Sequence, residues 1–214
     1  MKFKEVGVLH LADGVLSMPV VGVTYAAAGA LTLYSAWGIK EEEVPKVSLM
    51  SGGFFALSLL SIPVGPSSVH PMLAGLMGVV LGRRATLAFL VALLLQAILF
   101  QHGGLTTLGA NTLLLAIPAL LAYGLFYRME NKSVFFRGVL AGVLGVAGTV
   151  IFLILLLLLT DPRFGEGLLS VINILVLGHV PLAVVEGLVT GFALRLLYNV
   201  RPALLGITFK PKDI

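Results

Sequence analysis

The chain has 214 residues, of which 58% are hydrophobic and only 11% charged, and its mean hydropathy is +1.06. Soluble domains have about 25% charged residues, so this chain has too few ionic side chains to cover a soluble globular surface. The composition excludes a soluble enzyme, a nucleic-acid-binding protein and a disordered tail. Because the chain has no cysteine, it has no disulfides, and any metal site would need nitrogen or oxygen ligands.

Long apolar runs, rather than the short alternating segments of a β-barrel, predict an all-α membrane protein built as one domain, 1–214. A helix needs about 20 mostly apolar residues to cross a bilayer. The sequence contains seven candidate transmembrane helices, over residues 17–37, 47–63, 69–82, 85–101, 112–127, 137–160 and 171–197. The third is short and glycine-rich, which is typical of a helix that is tilted, re-entrant or buried among the others.

The basic residues predict the orientation of these helices, because cytoplasmic loops carry an excess of lysine and arginine. With the N-terminus outside and the C-terminus in the cytoplasm, the outer side holds only Lys2, Lys4 and Arg163. The inner side then holds the other basic residues: Lys40, Lys46, Arg83, Arg84, Arg128, Lys132, Arg137, Arg195, Arg201, Lys210 and Lys212. The cytoplasmic loops thus explain the excess of basic residues, and no nucleic-acid partner is needed to account for it.

Small residues recur four positions apart in several of the predicted helices, which allows helix backbones to approach closely in lipid. The rows lie at Ala26 and Ala30, at 74, 78 and 82, and at 138 and 142. We expect most of these rows to pack inside the protein. One of them, Ala26 and Ala30, is the candidate docking face for another membrane subunit.

All four histidines fall on the predicted outer side of the membrane. His10 lies in the N-terminal tail, His70 and His102 lie in outer loops, and His179 lies in the outer half of the seventh helix. Imidazole is a common ligand of nickel, copper, zinc and cobalt ions. The clustering favours a metal site over four unrelated interfacial histidines.

Two outer loops are rich in polar residues and glycine, which lets a backbone re-enter a protein pocket. The first loop, 64–70, contains Ser67 and Ser68. The second, 101–111, ends at Asn111, which is either the N-cap of the fifth helix or a residue that orients the pocket. Both loops favour a binding pocket that opens outward.

Glu186 is the one carboxylate deep inside a predicted span, where an unpaired charge is costly. It follows His179 by seven residues, which is two helical turns, so the two side chains share a face. Glu186 is interpreted either as an anchor for the pocket or as a polar bridge between helices. Asp13 precedes a glycine and is interpreted as a turn or cap residue rather than a metal ligand.

Four stretches together resemble one known family. They are LHLADGVLS at 9–17, SSVH at 67–70, HGGLTTLGAN at 102–111 and HVPLAVVEGLVT at 179–190. In this order they are similar to the cobalt/nickel M components, the substrate-binding membrane subunits of energy-coupling factor (ECF) transporters. The resemblance extends over nearly the whole chain.

The resemblance implies a transport subunit, not an enzyme, in the cell membrane of a prokaryote. The subunit captures Co2+ or Ni2+, as transported substrate rather than cofactor, and a membrane T component and two ATPase subunits drive its release into the cell. The chain itself has no phosphate-binding loop. Neither the choice between nickel and cobalt nor the need for a small accessory membrane subunit is fixed by the sequence.

In the family, the N-terminal segment folds into the outer pocket, and the metal is held by the terminal amine, the amide and imidazole of the second residue, and a second histidine. Carried over, the resemblance implies His10 and His70 as ligands, with Asn111, His179 and Glu186 orienting the loops. His102 is left as either a transient ligand at the pocket mouth or an exposed loop residue.

The chain departs from the family pattern because its first histidine is the tenth residue, not the second. Either translation starts at the codon of Leu9, which would restore the family opening, or the extension is real and the metal site is altered. The mass of the purified native protein distinguishes the two interpretations.

Two other functions are compatible with this polar pattern. An intramembrane metalloenzyme would use the histidines as ligands and Glu186 as a base, but no paired ligand spacing is present. An ion-coupled secondary transporter would usually show internal repeats and more intramembrane carboxylates. Neighbouring genes for ATPase and T-component subunits would favour the ECF interpretation.

Overall fold

The computed structural model describes residues 11–60, 62–64, 67–166 and 171–206. This part of the chain forms α-helices, single turns of 3-10 helix and one short hairpin. The helices are α1 (Met18–Ala36), α2 (Val44–Ser58), α3 (Ala74–Leu81), α4 (Ala85–Phe100), α5 (Leu108–Arg128), α6 (Val134–Thr160) and α7 (Val171–Val200). The 3-10 turns cover Glu41–Glu43, Gly82–Arg84, Pro162–Gly165 and Pro202–Leu205.

The seven helices of the described chain overlap the seven predicted spans, with ends that differ by up to five residues. Five segments of the described chain are long and apolar enough to cross a membrane: α1, the joined α3 and α4 segment Ala74–Phe100, α5, α6 and Ile172–Val200 of α7. Helix α2 has 15 residues, fewer than the roughly 20 that a span requires. The fold is therefore helical with several candidate spans, whereas seven crossings and an outer N-terminus stay predictions.

Helix α3 lies in the centre of the bundle and is almost completely buried. Gly75 and Gly78 allow this placement, because a Cβ on either would overlap the backbone of Ala141 in α6 or Ala119 in α5. Small side chains permit such close packing where lipid removes the hydrophobic driving force between helices. The third predicted span is thus confirmed as a short helix buried among the others.

Helices α6 and α7 also pack through glycine. A Cβ at Gly138 would lie 2.8 Å from the Cα of Gly191, and a Cβ at Gly142 would lie 2.8 Å from the Cα of Gly187. The prediction that the small-residue row at 138 and 142 serves internal packing is confirmed.

A two-stranded hairpin leads into α3. Strands β1 (Ile62–Val64) and β2 (Ser67–Val69) pair antiparallel, with Pro63 opposite Ser68. The sequence predicted only an irregular polar loop here. The hairpin places His70 directly between β2 and the start of α3.

Arg84 fixes the other end of the α3 segment. Its guanidinium donates hydrogen bonds to the carbonyls of Ser35, Trp37 and Gly38 at the end of α1, and to the carboxylate of Glu43 at 2.9 Å. The side chain is buried, so these bonds satisfy a desolvated charge and the final carbonyls of a helix together. The segment from His70 to Arg84 is therefore held at both ends.

Candidate metal-binding site

His70 has a buried nitrogen atom available for a ligand. The residue is 5% exposed and forms hydrogen bonds with the backbone of Ser58 and Leu60. Its Nδ1 atom is buried and has no hydrogen-bond partner. A neutral imidazole that donates from Nε2 has its lone pair on Nδ1, so Nδ1 is the atom that could bind a metal ion.

His102 packs against this ring, although the sequence left open whether it is an exposed loop residue. The two imidazole centroids lie 5.0 Å apart, with an angle of 66° between the rings. At the end of α4, the backbone N–H of His102 donates to the carbonyl of Gln96 at 3.2 Å. Gln101 and Gly103, on either side, have positive φ angles of 52° and 76°, which turn the chain sharply at this histidine.

Burial lowers the pKa of both histidines. Desolvation is the main cause at His70 and at His102, and the neighbouring imidazole of His70 lowers the pKa of His102 further. Both shifts favour the neutral form at neutral pH, which is the form of imidazole that binds metal ions. Both shifts thus favour the form of each ring in which one nitrogen keeps its lone pair.

Asn111 binds the chain just before α1. Its Oδ1 accepts from the N–H of Leu11 at 2.8 Å, its Nδ2 donates to the Leu11 carbonyl at 3.0 Å, and both residues are buried. The prediction that Asn111 caps α5 is wrong, because the helix begins at Leu108 with Thr107 as its N-cap. The alternative prediction, that Asn111 orients the pocket, agrees with these contacts but stays a proposal.

Asn111 and His70 line the same cavity. Its other walls are mainly apolar and are formed by Phe54, Pro71, Met72, Leu114, Leu115 and Thr149. A few polar atoms among apolar walls are typical of small-ligand sites. Because Asn111 also binds the backbone of Leu11, the segment around Leu11 is linked to the same cavity as the loop that carries His70.

Glu186 anchors that loop. Its carboxylate accepts hydrogen bonds from the backbone N–H groups of Met72 and, at 3.0 Å, Leu73, and the residue is 3% exposed. These amides precede α3 and have no partner within the helix. Glu186 thus holds the two residues just before α3, which closely follow His70.

His179 lies on the same helix as Glu186 and is also buried. Its Nδ1 lies 2.5 Å from the carbonyl of Leu175, so Nδ1 carries the proton and Nε2 the lone pair. Nε2 is buried and has no hydrogen-bond partner. His179 therefore retains an unused acceptor inside the bundle.

Asp13 joins the N-terminal segment to the second outer loop. Its Oδ1 accepts from the N–H of Thr106 at 2.8 Å and from the Thr106 hydroxyl at 2.5 Å, and these bonds help to lower the pKa of Asp13. Gly14 follows with a φ of 82° in a turn. The turn is confirmed, whereas α1 has Ser17 as its N-cap and no side-chain cap bond.

Two side chains that the sequence interpretation missed also hold the N-terminal segment. The Thr107 hydroxyl donates to the carbonyl of Leu11 at 2.5 Å, and the Tyr25 hydroxyl donates to the carbonyl of Leu105. The paired threonines of the HGGLTTLGAN stretch were the available signal for Thr107. A tyrosine on an apolar helix gave no comparable signal.

Some predicted site residues lie outside the described part of the chain. They are His10 and the side chains of Ser67 and Ser68, of which only the β2 backbone is described. Across the residues that the structure does describe, no group of three or more histidine, aspartate or glutamate side chains is arranged to hold a metal ion.

Ala26 and Ala30 lie on an exposed face of α1. Gly22 and Gly29 belong to the same open surface, because a Cβ on either would meet no atom within 4 Å. We call Gly22, Ala26, Gly29 and Ala30 the α1 small-residue face. It contrasts with the packed glycines of α3 and α6.

Comparison with known proteins supports the fold and defines the family. The family model for "Cobalt uptake substrate-specific transmembrane region" (CbiM) matches residues 10–204. A putative metal transport protein of Haemophilus influenzae is 32% identical over 94% of this chain and 98% of its own length. A cobalt transport protein CbiM of Desulforamulus reducens is 33% identical over 92% of this chain and 84% of its own length.

A crystal structure of a transition metal transporter superposes with a TM-score of 0.79 at 24% identity, covering 89% of this chain and 93% of the other. This likeness supports the helical transporter fold. Together with the apolar helices, the family match indicates a multi-pass membrane protein. The chain belongs to the CbiM family of cobalt uptake substrate-specific transmembrane proteins.

Proposed function

We propose that this protein captures Co2+ or Ni2+ at the outer face of a prokaryotic cell membrane and delivers it for uptake. The observation that carries the proposal is the buried, unpartnered Nδ1 of His70 in a cavity that also includes Asn111. A buried polar atom without a partner is costly, and a bound cation would remove that cost. Cobalt and nickel are also the metals in the names of several relatives.

We propose His10 and His70 as ligands. Asn111 binds both backbone polar groups of Leu11, and consecutive Cα atoms lie about 3.8 Å apart. Leu11, the residue that follows His10 in the sequence, is thus bonded to a side chain that lines the His70 cavity. Asp13 and Thr107 add bonds that hold the same segment.

We propose that release into the cell requires partner subunits, a membrane T component and ATPases of the ECF type, because the sequence has no phosphate-binding loop of its own. The α1 small-residue face is the proposed docking surface for the T component. A Cβ on either of its glycines would meet no atom within 4 Å, and such faces allow helices to approach closely in lipid. An Ala26→Leu variant should bind metal normally but assemble poorly with the T component.

The metalloenzyme alternative needs Glu186 as a free base. Both of its carboxylate oxygens accept backbone N–H groups, so the side chain is engaged in holding the residues before α3. No observation on the described residues favours this alternative.

Calorimetric titration of the purified protein tests the proposal. His70→Ala should abolish tight binding of Ni2+ and Co2+ while the circular dichroism spectrum in detergent stays that of the wild type. A variant that folds and binds either ion as tightly as the wild type would show that the site lies elsewhere.

A further inference from the structure

The imidazole of His102 lies beside that of His70, and the two come from separate elements. We propose that His102 is a direct ligand that shares one divalent transition metal ion with His70. This inference rests on the proposed function, since it adds a second nitrogen to the proposed site around His70. It assigns a ligand role to a residue of the outer loop between α4 and α5.

The spacing of the rings fits a shared ion. Metal–nitrogen distances of about 2.0–2.1 Å place each ring centroid about 3.2 Å from the ion. Two imidazoles at a ligand angle of about 90–109° then have centroids about 4.5–5.2 Å apart. The centroids of His70 and His102 are 5.0 Å apart. The rings are tilted by 66° and are not stacked face to face.

His70 supplies a nitrogen that is already oriented. Its bonds with the backbone of Ser58 and Leu60 occupy one ring nitrogen, which leaves the buried Nδ1 without a partner. Metal-binding histidines commonly donate their other nitrogen to a backbone carbonyl, which fixes the tautomer and the ring. His70 therefore has the hydrogen-bonding arrangement of a ligand.

The loop that carries His102 is fixed at several points. Gln101 has a φ of 52°, which is uncommon for a residue other than glycine. Thr106 binds Asp13, and the carbonyl of Leu105 accepts from the Tyr25 hydroxyl. Such preorganisation lowers the entropic cost of binding a ligand.

Two imidazoles define the chemical class of the ion. Imidazole binds Co2+, Ni2+ and Zn2+ well, whereas Mg2+ and Ca2+ prefer oxygen ligands. Because no third histidine, aspartate or glutamate joins the pair among the described residues, the proposal assigns only these two ligands. A direct role of His102 makes the site richer in imidazole than one that uses His70 and His10 alone.

A cysteine substitution tests the inference sharply, because the native chain has no cysteine. Thiolate bound to Co2+ gives a charge-transfer band in the near ultraviolet. We expect His102→Cys, loaded with Co2+, to gain this band and to keep binding cobalt. Leu105→Cys lies in the same loop and is 52% exposed; this matched control should show no band.

A His70→Cys variant separates the inference from the proposed function. A band in this variant but none in His102→Cys would overturn the role of His102 while the His70 site stands. No band in either variant, together with unchanged cobalt binding in His70→Ala, would overturn both.

His102→Gln covers the case in which the cysteine variant does not fold. We expect it to weaken Co2+ affinity at least tenfold and to change the visible absorption of the bound cobalt. A folded variant with an unchanged cobalt spectrum would assign His102 to ring packing alone and overturn the inference.

Discussion

Asn111 and Glu186 act on the backbone, and each fixes one of the two segments that meet at the cavity. Asn111 binds both polar groups of Leu11, and Glu186 binds the amides of Met72 and Leu73. Hydrogen bonds to a charged acceptor are stronger than neutral ones. At the scale of single residues, the site is therefore built by side chains that restrain loops around His70.

Glu186→Gln should weaken metal binding without unfolding the protein. A glutamine has one acceptor oxygen where the carboxylate has two, so one amide of the loop after His70 loses its bond. Loss of a residue that orients a ligand typically reduces metal affinity about 10–100-fold. Titration calorimetry with Co2+ measures the effect.

Glu166→Gln is the matched control for this change, because Glu166 is exposed and lies outside the helices. The Co2+ affinity of this variant should equal that of the wild type. Equal affinities in all three proteins would show that Glu186 does not position the His70 loop.

The sequence identified these residues but not all of their contacts. Glu186 was predicted to have a partner or to be protonated because a buried charge is costly, and its carboxyl oxygens accept two backbone N–H groups. Of the two roles predicted for Asn111, capping of α5 is wrong, since the helix begins at Leu108 and not at the predicted residue 112, whereas the orienting role stays a prediction. Hydropathy predicts where the apolar residues of a helix lie. The polar residue Thr107, at which α5 begins, is instead held by a tertiary hydrogen bond to the N-terminal segment.

At the scale of elements, α3 shows what glycine patterns can and cannot predict. Its short, glycine-rich sequence predicted a buried or re-entrant helix, and α3 is buried. The same residue type also lies on open surface: a Cβ at Gly22, Gly52 or Gly53 would meet nothing within 4 Å. Spacing alone does not separate packed glycines from glycines on open surface, because both provide the small side chains that close helix approach requires.

Gly78→Ala should destabilise the protein. The added Cβ would overlap the backbone of Ala119, so α3 or α5 must shift, and overpacking of this kind typically costs about 1–3 kcal/mol. A thermal unfolding midpoint in detergent, followed by circular dichroism, measures the loss. Gly52→Ala on α2 has open space and serves as the control, with an unchanged or higher midpoint. Equal midpoints for the two variants would contradict the packing of α3 against α5.

The ion pair at the far end of the α3 segment predicts a pH dependence. The hydrogen bond from Arg84 holds the pKa of Glu43 at about 2, below its usual value of 4.5. A carboxylate with a lowered pKa stabilises the folded state above its unfolded pKa, and this stability is lost as pH falls. The contribution of Glu43 should therefore be complete above about pH 5 and decline between about pH 4.5 and pH 2.

Glu43→Gln removes this group, so the difference in unfolding midpoint between wild type and variant should shrink as pH is lowered from 7 to 3. The difference is expected to be modest, because Glu43 is 38% exposed and exposed pairs contribute little. A difference that stays constant over this range would show that the pair does not titrate as the structure implies.

For the whole molecule, the charge pattern predicts a membrane orientation that the fold alone does not fix. Basic residues concentrate in loops predicted to be cytoplasmic. His70 and His102 lie together at the end that this orientation places outside, whereas the Arg84 cluster lies at the other end of the α3 segment. Under this orientation the cavity beside His70 is predicted to face the exterior.

Single cysteines in the cysteine-free chain test this orientation. A membrane-impermeant thiol reagent added to intact cells should label Leu105→Cys and leave Lys132→Cys unlabelled until the cells are opened. Both residues are exposed on the protein surface, so burial does not account for a difference. If only Lys132→Cys were labelled in intact cells, the predicted orientation would be wrong and the reverse orientation would hold.

The metal content of the purified protein tests the central claim most directly. Wild type and His70→Ala would be produced in cells supplied with both Ni2+ and Co2+, purified without chelator and analysed by mass spectrometry of the elements. The wild type should retain nickel or cobalt near one ion per chain, whereas folded His70→Ala should retain almost none. Equal metal content in the two proteins would contradict a capture site built around His70.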